Sequence, residues 1–112
     1  MHQRKVAVFV TAPASDLEKS KKALQMCLDV VHTQTLVDHV FFYFDAAYNA
    51  APDAMFHEAW NQFSSDFSIP LIACSTLAEN RGLHADAAGR FTFAGLSEFY
   101  SRLHHCHEVI QA

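Results

Sequence analysis

The chain has little of what punctuates or cross-links a fold. Three glycines and three prolines in 112 residues leave almost no material for a phosphate-cradling loop. Neither a GxGxxG nor a Walker A sequence is present, which argues against a classical nucleotide site. The three cysteines are odd in number and show no Cys-x-x-Cys spacing, so neither a disulfide framework nor a thioredoxin-type dithiol is expected. Reduced thiols and a cytoplasmic location follow as the expectation. No run of 18 apolar residues occurs, so no membrane span is expected. Met1-His2-Gln3-Arg4-Lys5 leads straight into an apolar run without a signal-peptide pattern. A formal charge of −4 gives no basic surplus, so direct nucleic-acid binding is not expected. No pair of carboxylates stands out for hydrolytic chemistry.

The chain is rich in core material. A hydrophobic share of 51% suffices for one domain over residues 1–112. Val6-Ala7-Val8-Phe9-Val10 is a continuous, largely β-branched run, as in a strand buried on both faces. Ser15 and Asp16 open a helix, with Glu18 three residues after Ser15. Its apolar positions Leu17, Ala23, Leu24, Cys27, Leu28 and Val31 keep helical spacing, with the lysines mostly opposite. Residues 37–44 read as a second strand and 45–52 as a loop. Asp53 is expected to cap a second helix to about Phe67, with Met55, Phe56, Ala59, Trp60 and Phe63 on one face. Leu71 to Cys74 reads as a third strand, followed by a short helix ending at Gly82. His84 to Arg90 reads as a polar loop, Gly95 to Leu103 as a last helix and Cys106 to Ile110 as a closing strand. Strands alternating with helices give an α/β fold with a mostly parallel sheet, and sites in such sheets gather outside the carboxyl ends of the strands.

Cys74 is the leading candidate. It stands where a buried strand meets a helix start, with Ser75 and Thr76 as candidate caps and Glu79 as a capping-box partner of Thr76. Free N–H groups and the helix dipole there favour negative charge on sulfur, which suits a nucleophilic or sulfur-carrying cysteine. The same residue also reads as a small buried hydrophobe. Tyr43, Asp45, Tyr48 and Asn49 fall on the same sheet edge. Tyr48 and Asn49 read either as groups that touch the reacting sulfur or as an ordinary surface tyrosine and turn asparagine. Arg81 adds positive potential or is a solvated charge at a helix end. Cys27 reads as core. Cys106 reads as structural, with resolution of an oxidised Cys74 as the alternative. His104, His105, Cys106 and His107 make a poor tetrahedral metal site within one strand, because alternation splits them between faces; His57 and His84 read as surface residues. Ten phenylalanines exceed what a small core obviously needs and point either to packing on the sheet or to a subunit interface.

Several stretches are similar to one family. Phe41-Phe42-Tyr43-Phe44-Asp45-Ala46-Ala47-Tyr48-Asn49-Ala50 resembles the "FFY…YNA" stretch of the TusD/DsrE family of sulfur-relay proteins. Val8 to Ala14 resembles its first strand and T-x-P turn. Cys74 with Leu77-Ala78 and Arg81-Gly82-Leu83 matches the stretch holding the family's sulfur-carrying cysteine. Phe93-Ala94-Gly95-Leu96 with Glu98, and Cys106 to Gln111, resemble its late helix entry and closing strand. The resemblance implies a three-layer α/β sandwich with a sheet of about five strands. It implies Cys74 as the persulfide carrier, with no metal or organic cofactor. It also implies homologous subunits in a homo- or hetero-oligomer, a trimer or hexamer, and protein donors and acceptors of sulfur, in tRNA 2-thiouridine synthesis or sulfur oxidation. Two departures bear on partners: the loop before Phe93 is short, and Asn80-Arg81 stands where a basic pair is usual. Two further readings remain: a noncatalytic subunit with an inert Cys74, and a small-ligand-binding module at the strand edge.

Overall fold

A computed structural model describes residues 4–112; the stretch 1–3 of the N-terminal reading lies outside it. The elements run β1 Lys5–Val10, α1 Leu17–His32, β2 Leu36–Phe42, a 3-10 helix Phe44–Ala50, α2 His57–Phe67, β3 Leu71–Cys74 and α3 Ser75–Asn80. A 3-10 turn at Ala85–Ala87, β4 Phe91–Ala94, α4 Leu96–Arg102, a 3-10 turn at Leu103–His105 and β5 Glu108–Gln111 complete the chain. The five strands form one sheet in the order β4-β3-β2-β1-β5. Every neighbouring pair is parallel, as the continuous apolar runs predict.

Handedness distributes the helices. The connections from β1 to β2 and on to β3 step in one direction, and right-handed crossovers put α1 and α2 on one face. The return from β4 to β5 steps the other way and puts α4 on the opposite face. The first face packs Val8, Val10, Val40, Phe42, Leu71 and Ala73 against Ala23 and Cys27 of α1 and Trp60 and Phe63 of α2. Trp60 meets Phe42 edge-on at 4.9 Å. The second face packs Ala7, Phe41, Ile72 and Cys74 against Phe99 of α4.

The local signals hold unevenly. Asp16 caps α1 by accepting the Lys19 N–H at 3.0 Å. Gly82, at φ 72°, follows α3 in a Schellman arrangement: the Gly82 N–H donates to the Glu79 carbonyl and the Leu83 N–H to the Ala78 carbonyl. Leu17 is 55% exposed and contributes nothing to the α1 core face. Residues 44–50 are a 3-10 helix, not an open loop, and β2 stops at Phe42. Asp53 does not cap α2, which starts four residues later; it accepts from the Tyr48 hydroxyl instead. Met55 accordingly lies before α2 and is exposed. Phe91–Ala94, unassigned in the sequence reading, is the outer strand beside β3. The closing strand starts at Glu108, leaving Cys106 outside it.

Candidate functional site

Cys74 is both the last residue of β3 and the residue preceding the first turn of α3. The strand runs into the helix with no turn between, so Ser75 and Thr76 lie inside α3. No side chain caps that helix, and the expected Thr76–Glu79 capping box is absent because the helix begins two residues too early for it, with Cys74 in the cap position. In the pleat Cys74 shares its side with Ile72, so its sulfur joins the cluster under α4, with Phe41 and Phe99. It is 4% exposed.

Around that cluster the rings of Phe9, Phe41 and Phe99 lie within 4.8–5.9 Å of one another. Tyr43 tilts against Phe9 at 5.7 Å. Cys106 sits on the cluster's margin, and its thiol is pushed up by burial and by the nearby Asp38 charge, with Lys5 opposing. Cys27 lies in the other core, as its helical position predicts, and burial pushes its thiol up to about 12. The three cysteines are all free thiols.

At the carboxyl edge of the sheet, a cleft of about 370 Å³ is lined by Ala14, Ser15, Asp45, Tyr48 and Arg81. Arg81, the residue closing α3, forms an ion pair with Asp45. The Tyr48 hydroxyl donates to both Asp53 carboxylate oxygens at 3.1 and 3.2 Å. That bond to the Asp53 carboxylate, and its charge, hold the phenol above its usual value. The structure therefore brings Tyr48 and Arg81 together. It separates them from Asn49, which is buried, donating to the Ala46 carbonyl at 2.9 Å with its own side-chain oxygen unpartnered among the described residues. Cys74 is not among the cleft's lining residues; α3 stands between it and Arg81.

His57 is buried, not a surface residue: its Nδ1 lies 2.9 Å from the Asn49 carbonyl and its ring stacks on Phe91. His104 and His105 occupy a 3-10 turn and His107 precedes β5. Among the described residues no three His, Cys, Asp or Glu side chains gather in a metal-holding group. No described helix is long and apolar enough to cross a membrane.

A model of the DsrE/DsrF-like family matches residues 4–112. The chain belongs to the DsrE/DsrF-like family. Two curated relatives, each named sulfurtransferase TusD, come from Buchnera aphidicola subsp. Acyrthosiphon pisum strains 5A and APS. Each is 24% identical over 123 aligned positions, spanning 93% of this chain and 96% of the relative. The crystal structure of the ychN protein from E. coli superposes with a TM-score of 0.78 at 16% identity, covering 99% of this chain and all of that one. The protein of unknown function MTH1491 from Methanobacterium thermoautotrophicum gives 0.78 at 12% identity, covering 98% and 100%. These two share the fold. The family agrees with the one whose motifs the sequence resembles.

Residues the sequence reading missed are Ala14 and Ser15 on the cleft and Phe99 over the cysteine. Phe99 had a readable signal, an aromatic inside an amphipathic helix after the third strand. The β1–α1 loop had the general one, since Thr11-Ala12-Pro13 follows the carboxyl end of a buried strand, where such sites gather.

Proposed function

We propose that this chain is a sulfurtransferase subunit of a persulfide relay, with Cys74 accepting sulfane sulfur and passing it to a partner protein's thiol. The observation that carries the reading is the place of Cys74, at the carboxyl end of a parallel strand where α/β sheets keep their sites, in a family member similar to proteins named sulfurtransferases. The Cys74 thiolate attacks the outer sulfur of a donor persulfide. The new S–S bond makes Cys74–S–SH, and the donor leaves as its thiolate. An acceptor thiolate then attacks that outer sulfur and releases the Cys74 thiolate. Each step exchanges one S–S bond for another, so no net oxidant or cofactor is consumed.

Arg81, Asp45 and Tyr48 support the reaction from the neighbouring cleft by receiving the partner's approaching segment. Ser75 and Thr76 act only through the helix they belong to, and Asn49 only by fixing the 3-10 helix that presents Tyr48. The chain works in the cytoplasm, as one domain, serving either tRNA 2-thiouridine synthesis or sulfur oxidation. The α4 face favours homologous subunits as partners, in a homo- or hetero-oligomeric trimer or hexamer. Tyr100 and Val109 are 61% and 42% exposed there, beside partly buried Phe9 and Tyr43, an apolar display that a subunit contact would cover.

The test is intact-mass spectrometry after incubation with a persulfide donor. Wild type should gain one sulfur that a reductant removes. Cys74→Ser should gain none, while Cys106→Ser and Cys27→Ala should load as wild type does. Full loading of Cys74→Ser ends the proposal. One observation favours a second reading, the noncatalytic subunit: Cys74 is 4% exposed. Under that reading Cys74 neither alkylates at a measurable rate nor holds sulfur.

A further inference from the structure

The order β4-β3-β2-β1-β5 reverses direction between β1 and β5. Open α/β sheets take ligands outside the carboxyl ends of the strands at such a reversal. A groove of about 270 Å³ opens there, lined by Thr11 and Ala12 after β1, Gln111 at the end of β5, and Lys19, Lys22 and Met26 of α1. It is mostly apolar; Met26 is 39% exposed and Ala23 lies beneath. A second cleft, of about 480 Å³, is lined by Glu18, Lys21, Lys22 and Gln25. It shares Lys22 with the first and lies beside it, about a quarter-turn further round the same stretch of α1, so the two make one track across the outside of the helix.

The charge on this track is unlike that elsewhere. Arg4 pairs with Glu108, Lys5 with Asp38, Arg81 with Asp45 and Arg102 with Glu98. The Arg90 Nε donates to Ser64. The remaining basic residues are Lys19, Lys21 and Lys22, and among the described residues no side chain pairs with their ammonium groups. Arg90 apart, whose Nε bonds only the neutral Ser64 hydroxyl, a chain of net charge −4 thus leaves its unpaired cations together, beside an apolar groove at the strand-order reversal and with Glu18 as the one carboxylate lining the track.

We propose that this track docks an extended acidic segment of a partner protein, one apolar side chain seated against Met26 and Ala23 and flanking carboxylates on Lys19, Lys21 and Lys22. The apolar floor supplies the anchor. The lysines select the sign of the partner, which the rest of this acidic surface repels. The width of the track, two clefts adjoining at Lys22, takes an extended segment crossing the helix better than a compact small molecule. The β1–α1 loop that lines the groove with Thr11 and Ala12 also lines the Arg81 cleft with Ala14 and Ser15, so a docked segment lies one loop away from that cleft. The proposal does not depend on sulfur chemistry.

The test is an amide NMR titration of the full chain with the capped peptide Asp-Glu-Leu-Glu-Asp, against versions with Ser for Leu and with Lys at the acidic positions. Saturable shifts are expected at Thr11, Ala12, Lys19 to Met26 and Gln111, absent with the lysine peptide and weaker with the serine one. Lys19→Glu with Lys22→Glu should weaken binding at least about tenfold, as should a rise in salt from about 0.05 to 0.5 M. Both side chains are exposed, and Lys19→Gln with Lys22→Gln provides an uncharged second variant expected to fall between. No saturable shift by about 1 mM peptide, shifts confined to other surfaces, or binding indifferent to both variants overturns the proposal. So does sedimentation showing a self-assembly that the charge reversal dissolves, since the occupant is then a second copy of this chain.

Discussion

Beneath α1 and α2 the sheet presents Val8, Val10, Val40, Phe42, Leu71 and Ala73, all within a percent of full burial. Phe42 is locked edge-on between Trp60 and Phe91. On the opposite face Ala7, Phe41, Ile72 and Cys74 lie under one seven-residue helix, with Phe9 and Tyr43 only partly covered. The first face is a closed core of two long helices on a sheet; the second is a core with one thin lid. The difference follows from topology, since a single return connection places a single helix there. Stability therefore rests on the first face. The second holds the cysteine beneath that single helix.

The sharpest way to break this comparison is to remove one large ring from each face. Trp60→Ala should cost about 3–5 kcal/mol, near the upper end because its surroundings cannot collapse. Phe99→Ala should fall at the lower end of the same range, about 3 kcal/mol, because α4 can settle into the space. Urea denaturation reads both. Cys74 alkylation should speed up in Phe99→Ala and stay as in wild type in Trp60→Ala under native conditions. Equal stability losses with equal alkylation rates would show that the two faces are not distinct.

The second face also carries a buried titrating group. His39 has no exposed surface, meets Phe99 edge-on at 5.5 Å and places Nδ1 2.7 Å from an Asp38 oxygen. Its Nε2 has no partner among the described residues. Burial holds the imidazole below its ordinary value of 6.5, more strongly than Asp38 opposes. Below that value the unfolded chain binds a proton that the folded chain resists. The contribution is intact above about pH 6.5 and is lost as pH falls, with a slope of at most about 1.4 kcal/mol per unit. Stability measured between pH 6.5 and 5 should decline less steeply in His39→Gln than in wild type. Asp38 does not confuse the window. Burial raises its carboxyl, but the bonds and charges of His39 and Lys5 outweigh that and hold it below 3.8, so its own loss comes at lower pH. Identical slopes in the two proteins would remove His39 as the second face's acid-sensitive point.

The first face was the more legible of the two in sequence. Ala23, Cys27, Trp60 and Phe63 keep a helical period, and β1 and β3 are unbroken apolar runs whose burial both faces demand. What escaped reading lacks a period or depends on distant chain. Phe91-Thr92-Phe93-Ala94 is too short to show alternation, and only its pairing with β3 makes it a strand. The 3-10 helix 44–50 carries turn-forming residues and so passes for a loop. The capping errors at Asp53 and at Ser75 and Thr76 share a form: each side chain can cap, but the helices begin elsewhere, at His57 and at Ser75. Cys74 could be located as a strand–helix junction. Its direction, under α4 and away from the Arg81 cleft, needed the pleat's register across β2 and β3. Tyr48 and Asn49, adjacent in sequence, part company because successive residues of a tight helix point different ways.

The smallest effect expected is at the edge where the two faces meet. Arg81 and Asp45 pair across the cleft with side chains 41% and 55% exposed, a setting in which ion pairs contribute about 0–1 kcal/mol. Arg81→Gln should therefore shift the urea midpoint by little, and the shift should shrink further in salt. If the cleft receives the sulfur donor's segment, the same variant should slow Cys74 loading from a protein donor while leaving loading from a small persulfide unchanged. A neutral side chain keeps the helix end but loses the charge, so that split separates reception of a partner from chemistry at sulfur. Equal slowing with both donors would assign Arg81 to the reacting sulfur itself. No slowing with either would return the pair to an ordinary surface contact and leave the second face to act through Cys74 and α4 alone.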